Sequence, residues 1–183
     1  MFAIGRALGW VIDGLTWIGA IAVLAMMFHV ALDVLGKYLL NSPLPATLEV
    51  VSHYYMVACV FLPLGLVERQ NLHIAVEILT SNLAKPIERF FTFIAMVASL
   101  LYFGIMTYRT WFDAVDKWQV GAFIMGSTSA VPTWPTYFMV PLGCGVMMAV
   151  LLYKIVRYLT GAESGLGETE GHKTVEQILE EGS

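Results

Sequence analysis

Four ionisable side chains lie where the first apolar stretch of the chain ends and the second begins, and they are the residues best suited to chemistry. His29 and Asp33 are separated by four positions, and so are Glu49 and His53. On two helices, each pair would therefore share one face. Because a short turn joins the two stretches, the helices are expected to be antiparallel neighbours with all four groups at similar depth. Ionisable groups at membrane depth are costly, which makes these four candidates for function.

Three roles fit these side chains. The imidazoles of His29 and His53 could be the axial ligands of a haem held between adjacent helices. Glu49 could carry a proton in a small, self-sufficient transporter. Alternatively, the four groups form a polar cluster that ties the two helices together, with Glu49 at a helix start where the helix dipole favours a carboxylate. We favour the polar cluster, because both histidines stand near the water boundary with acids beside them.

The elements that carry these residues are unusually apolar. Of 183 residues, 58% are hydrophobic and 13% are charged, whereas soluble domains average about 45–50% and about 25%. Four segments approach the roughly 20 apolar residues that a bilayer-spanning helix needs: 14–32, 50–67, 90–108 and 134–153. Backbone groups in lipid must be hydrogen-bonded within the segment, so these spans are helices. The sequence predicts an all-α integral membrane protein whose four transmembrane helices occupy residues 1–158.

Prolines mark the ends and bends of these helices. The Asn41 to Pro45 segment predicts a turn between the first two spans, and Pro86 suits the first turn of the third helix. Pro63 and Pro141 fall inside spans and predict kinks.

The connection after the second span carries a second helical pattern. Apolar residues recur at helical spacing opposite His73, Glu77, Thr80 and Ser81, which predicts an amphipathic helix on the membrane surface; they are Leu72, Val76, Leu79 and Leu83. Lys85 and Arg89, at the start of the third helix, could hold a lipid phosphate. The Glu68-Arg69 pair predicts a charged rim, and Arg69 is a candidate for partner or lipid contact.

The later connections are simpler. Trp111, Val115 and Trp118 form an apolar edge, which indicates either a continuation of the third helix or a second surface helix. Residues 126–132 are expected to form a loop. Residues 159–183 are rich in glycine and glutamate and cannot build a core, so we expect an acidic, mobile tail.

The distribution of Lys and Arg predicts the orientation of the chain. Four spans place the N-terminus, the second connection and the tail on one side, with seven basic residues against three on the other. The positive-inside rule therefore predicts that both termini are cytoplasmic.

Several functions are excluded. No enzyme motif, catalytic residue or substrate-binding residue is recognisable, and no basic stripe for nucleic acid is present. Cys59 and Cys144 lie in apolar runs without metal-ligand spacing, so no metal site is expected.

The quoted motifs resemble a known family. Thr47-Leu48-Glu49 opens a span, Glu68-Arg69-Gln70-Asn71-Leu72-His73-Ile74-Ala75-Val76-Glu77 follows it, and Leu83 and Arg89 come next. This pattern resembles the small membrane subunit of tripartite ATP-independent periplasmic (TRAP) transporters of bacteria and archaea. The most specific part is the Arg69 to His73 segment; Glu77 stands where the family more usually has Asp. Val131-Pro132-Thr133-Trp134 and Pro141-Leu142-Gly143 also look like the family's fourth span, so the resemblance covers roughly residues 10 to 158.

The resemblance implies a role and partners. The small subunit of that family pairs with a large elevator-type membrane subunit, which holds the substrate and sodium sites. A periplasmic binding protein delivers the substrate, which is often an organic acid. This chain would then be a scaffold in the inner membrane, with no cofactor of its own.

A substitution test follows from the stripe of Leu72, Val76, Leu79 and Leu83. Burying one Leu or Val is worth about 1.5–3 kcal/mol, so Val76→Asp or Leu79→Asp should weaken co-purification with the large subunit. Thr80→Asp, on the polar face, is the matched control and should leave the yield of the complex near wild type. Equal effects of all three substitutions would contradict the predicted stripe.

Overall fold

The computed structural model describes residues 2–42, 44–70, 85–126 and 129–160. Four helices in these ranges are long and apolar enough to cross a membrane: Gly5–Leu39, Thr47–Arg69, Phe90–Gln119 and Trp134–Thr160. The predicted fold class, an all-α membrane protein with four spans, is confirmed. The predicted surface helix through Leu72, His73, Val76, Leu79 and Leu83 lies outside the described residues, and so does the tail from residue 161.

The second span is divided into segments, whereas the first is one continuous helix, α1 (Phe2–Leu39). It runs through α2 (Thr47–Val50), a π-helical turn (Val51–Tyr55), α3 (Met56–Phe61) and α4 (Leu64–Arg69). The interruption between α3 and α4 falls at Leu62 and Pro63, because proline lacks the N–H that would continue the helical ladder. The kink expected at Pro63 is therefore present.

The third span is longer than a bilayer requires. Its helix, α5 (Lys85–Gln119), has 35 residues, or about 52 Å at 1.5 Å per residue. Of the two interpretations of the Trp111 to Trp118 edge, the continuation of the third helix is correct.

The connection between the third and fourth spans is a small antiparallel hairpin. Strand β1 (Phe123–Met125) pairs with β2 (Ala130–Pro132), and Ile124 stands opposite Val131. The expectation of a loop over residues 126–132 was therefore wrong for Ala130–Pro132. These residues form a strand because Val131 is buried and because the Gly126 N–H donates to the Ser129 carbonyl at 2.9 Å.

The fourth span begins with a short helix, α6 (Trp134–Tyr137), and continues as α7 (Met139–Thr160). The break at Phe138 lies just before Pro141. A proline ring clashes with the carbonyl four residues earlier, here that of Tyr137. The interruption of the helix at Phe138 therefore falls on the N-terminal side of Pro141, where a proline disturbs the helix.

The helices form a layer in the order first, second, fourth and third span. Helix α7 is central: it packs along α5 on one side and against α3 and α4 on the other, while α1 packs on the second span. Eight residues of α7 are buried, but Ala114 is the one buried residue in the part of α5 whose side chains are described. Helices α1 and α5 thus form the two edges of the layer.

Close backbone contact holds the fourth span against the second. A Cβ added to Gly143 would lie 2.0 Å from the carbonyl oxygen of Phe61, and one added to Gly65 would lie 2.8 Å from Val146. Such distances leave no room for a side chain at Gly143. The glycine is thus required by packing.

We predict that Gly143→Ala destabilises the fold by about 1–3 kcal/mol, the usual cost of overpacking, because a backbone carbonyl cannot move away cheaply. Gly14→Ala is the matched control: no atom lies within 4 Å of its added Cβ, and alanine favours a helix by about 1 kcal/mol over glycine. Thermal unfolding in detergent, followed by tryptophan fluorescence, measures both. Equal melting temperatures for the two variants would refute the close contact.

Candidate functional site

Charged residues bracket the spans at a nearly constant spacing. The bracketing pairs are Asp13 and Asp33, Glu49 and Glu68, and Arg89 and Arg109. The fourth span has a charge at one end, Lys154, and the uncharged Trp134 stands 20 positions before it. A separation of 19 or 20 residues is about 30 Å of helix, which equals the hydrocarbon thickness of a bilayer. These residues define two rims. We call the rim with Asp13, Glu68 and Lys154 the terminal face, and the rim with Asp33, Glu49 and Arg109 the hairpin face.

On the hairpin face, the four residues predicted to form one cluster go to separate partners. Asp33 Oδ1 accepts a hydrogen bond from the Leu44 N–H at 2.8 Å and so closes the turn between the first two spans. His29 Nδ1 lies 3.4 Å from the Tyr55 hydroxyl, and the two rings meet edge to face. His29 and Asp33 therefore do join the first two spans, and they do so through contacts with Tyr55 and Leu44.

Glu49 and His53 lie on the other side of the second span. The Glu49 carboxylate is packed beside Gly126 in the β-hairpin, since a Cβ added there would lie 3.0 Å from Glu49 Cδ. His53 Nδ1 lies 2.9 Å from Ser52 Oγ and 3.2 Å from the Glu49 carbonyl oxygen. A carbonyl oxygen only accepts, so the contact with Glu49 is a hydrogen bond when Nδ1 carries the ring proton.

This arrangement bears on two of the roles considered for these residues, the haem held by His29 and His53 and the proton carrier Glu49. Tyr55 faces His29, and two positions along a helix turn a side chain by about 160–200°, so the structure does not bring His53 and His29 together. Glu49 stands at the rim and not at mid-span. Among the described residues, no group of three or more His, Cys, Asp and Glu could hold a metal ion.

The second span also anchors the hairpin. The Tyr54 hydroxyl donates to the Pro132 carbonyl. The base of the hairpin is closed by a bond of its own, from the Thr133 N–H to the Ala122 carbonyl at 2.9 Å. The π-helical turn, which holds Ser52, His53, Tyr54 and Tyr55, lets consecutive side chains reach α1 and the β-hairpin from one short segment.

Two ion pairs are found among the described residues of the terminal face. Lys154 Nζ lies 2.8 Å from Glu68 Oε1, and the two side chains are only 4% and 6% exposed. Lys154 also donates to the Glu68 carbonyl, so it caps the C-terminal end of α4. Arg69 Nη1 lies 2.6 Å from Asp13 Oδ1, in a pair whose carboxylate is 56% exposed.

An apolar cluster lies beside these ion pairs. Ile12, Val150 and Tyr153 are buried together, with Leu8, Leu66 and Val146 packed around them. The first, second and fourth spans are therefore joined at the terminal face by charge pairing and by apolar contact at the same level.

The buried pair was missed at the level of sequence. The sequence pattern predicts only a charged rim at Glu68 and gives Lys154 no role beyond its positive charge. The sequence does indicate the depth of Glu68 and Lys154, because each stands 19 or 20 positions from the opposite rim of its span. Arg69, predicted to contact a partner or lipid, binds Asp13; nothing is described of the side chains of Lys85 and Arg89.

The comparison with known families agrees with this geometry. A family model described as the DctQ component of tripartite ATP-independent periplasmic transporters matches residues 26–161. The chain belongs to the DctQ family. None of the curated proteins compared with it matches. This DctQ chain is thus the small membrane component of a TRAP transporter, and its family is one of transporter components and not of enzymes.

We predict that Lys154→Met destabilises this DctQ chain by about 3–5 kcal/mol, because it removes one member of the buried Glu68–Lys154 ion pair. Asp13→Asn is the control: the carboxylate of the pair that it breaks is 56% exposed, and a pair open to solvent is worth at most about 1 kcal/mol. Thermal unfolding of the purified chain in detergent separates the two. A smaller loss for Lys154→Met than for Asp13→Asn would mean that the Glu68–Lys154 pair does not stabilise the layer.

Proposed function

We propose that the chain is a static scaffold subunit that binds a large, elevator-type membrane subunit and acts with a periplasmic binding protein in sodium-coupled uptake of organic acids. The observation that carries the proposal is the position of the charges. All Asp, Glu, Lys and Arg residues lie at the rims of the spans or outside them. A transporter needs polar groups near the bilayer midplane to hold substrate and coupling ion, so those sites belong to the partner.

The packing supports a scaffold role as well. The terminal face joins three spans through the buried Glu68–Lys154 pair and the Ile12 cluster, which opposes relative movement of those spans. Helices α1 and α5, at the edges of the layer, expose large apolar side chains along their length, such as Trp17, Ile21, Leu101 and Ile105. These edges offer a wide surface to a membrane partner and to lipid.

The orientation belongs to the same proposal. With seven basic residues on one side and three on the other, the terminal face is cytoplasmic and the hairpin face is periplasmic. The β-hairpin and the projecting end of α5 then stand on the side from which a binding protein delivers substrate. The protein is thereby assigned to the inner membrane of a bacterium or archaeon.

Reconstitution tests this role. Proteoliposomes containing this chain alone, the large subunit alone, or both are supplied with a sodium gradient, the binding protein, and a labelled organic acid that the binding protein retains. We expect uptake above background only when both membrane subunits are present. The control is the same set without the sodium gradient.

Uptake by this chain alone would disprove the scaffold role. Full uptake by the large subunit alone would show that the chain is not required. Co-purification of the two membrane subunits, measured separately, distinguishes a failed assembly from a failed transport step.

A further inference from the structure

A groove runs between α1 and the second span, from the hairpin face into the hydrocarbon region. Its volume is about 710 Å³, and its lining is apolar, including Met26, Met27, Val30, Val34, Val51 and Met56. Pockets of about 300–1,000 Å³ bury most of a drug-sized ligand, so the groove has room for an acyl chain. Methionines adapt to flexible ligands.

The groove lies at the depth of one lipid leaflet. Met26 stands seven positions from Asp33, and Met56 stands seven from Glu49, so each is about 10 Å below the rim. The opening faces outward, since Met27 and Met56 are 62% and 51% exposed. An occupant would therefore enter from the bilayer.

Two opposite charges stand at the mouth of the groove. On α1, Lys37 is seven positions from Val30 and eleven from Met26, which places it on the same helix face as these lining residues. Asp33 lies one turn below Lys37. Asp33 Oδ1 accepts from Leu44, and no ion pair involving Lys37 is found within the described part of the chain.

We propose that this groove binds one phospholipid with an ethanolamine headgroup: an acyl chain lies along the groove, the phosphate pairs with Lys37, and the ammonium pairs with Asp33. Two carbons join the phosphate and ammonium of such a headgroup, so side chains one helical turn apart can meet both charges. An anionic headgroup that has no ammonium would leave the Asp33 carboxylate without a cation to pair with. Charge complementarity at this depth therefore favours a zwitterionic lipid. The primary ammonium of ethanolamine can also donate hydrogen bonds to the Asp33 carboxylate, whereas the trimethylammonium of choline has no N–H to donate. The site does not depend on the scaffold role.

Native mass spectrometry of the purified full-length chain tests the groove. The probes are palmitoyl-oleoyl phosphatidylethanolamine, phosphatidylglycerol and phosphatidylcholine, added in equal amounts. We expect one retained phosphatidylethanolamine per chain. Val30→Trp fills the groove and should lower the retained fraction at least about fivefold, whereas Ile21→Trp, nine positions away on the opposite helix face, should leave it unchanged.

Headgroup variants test the two charges separately. Lys37→Gln should weaken retention of all three lipids about fivefold, the usual effect of one basic residue near phosphate; Lys117→Gln, at the far end of α5, is its control. Asp33→Asn keeps an oxygen for the Leu44 N–H but removes the charge. It should abolish the preference for phosphatidylethanolamine over phosphatidylglycerol.

Two results would overturn the proposal. Equal lipid retention by Val30→Trp and Ile21→Trp would show that bound lipid lies elsewhere. If the wild-type chain retains no lipid, and Val30→Trp instead blocks co-purification with the large subunit, a protein surface and not a lipid fills the groove.

Discussion

Charged side chains are costly in hydrocarbon, and this constraint sets the position of every Asp, Glu, Lys and Arg around the four spans. Charges mark both ends of the first three spans, and Lys154 marks the terminal face of the fourth. The distance between the rims, about 30 Å, equals the thickness of the bilayer core. Helices longer than that must project: α5 continues about 15 Å beyond Arg109, and the β-hairpin returns the chain to the fourth span.

The two faces satisfy this constraint differently. At the terminal face, Glu68 and Lys154 neutralise each other in a buried site, beside the cluster of Ile12, Val150 and Tyr153. At the hairpin face, single hydrogen bonds join half-buried side chains to the backbone: the Leu44 N–H donates to Asp33, and the Tyr54 hydroxyl donates to the Pro132 carbonyl. A buried ion pair stabilises only when its geometry is good, so the Glu68–Lys154 pair favours one relative position of the second and fourth spans.

The layer leaves apolar surface uncovered at its two edges. Helix α7 contributes most of the burial, and its neighbours approach closely because Gly143 and Gly65 have no side chains to separate the backbones. Helices α1 and α5 at the edges keep large apolar side chains exposed. In a membrane these edges are covered by lipid or by another protein, and the same surfaces carry both the proposed scaffold role and the proposed lipid site.

The sequence by itself determined the class of the protein, the number and approximate limits of its spans, the breaks near Pro63 and Pro141, and the family. These properties depend on composition and on local backbone chemistry, and both can be read from the amino-acid sequence. Only the tertiary structure decided the order of the helices, the hairpin at Phe123–Pro132, and the partners of each charge. Glu68 and Lys154 are 86 positions apart, and His29 and His53 belong to adjacent spans but are not brought together. Such pairings depend on how each helix is rotated about its own axis. Packing at Gly143 and the π-helical turn set this rotation, and the spacing of residues along the chain cannot reveal it.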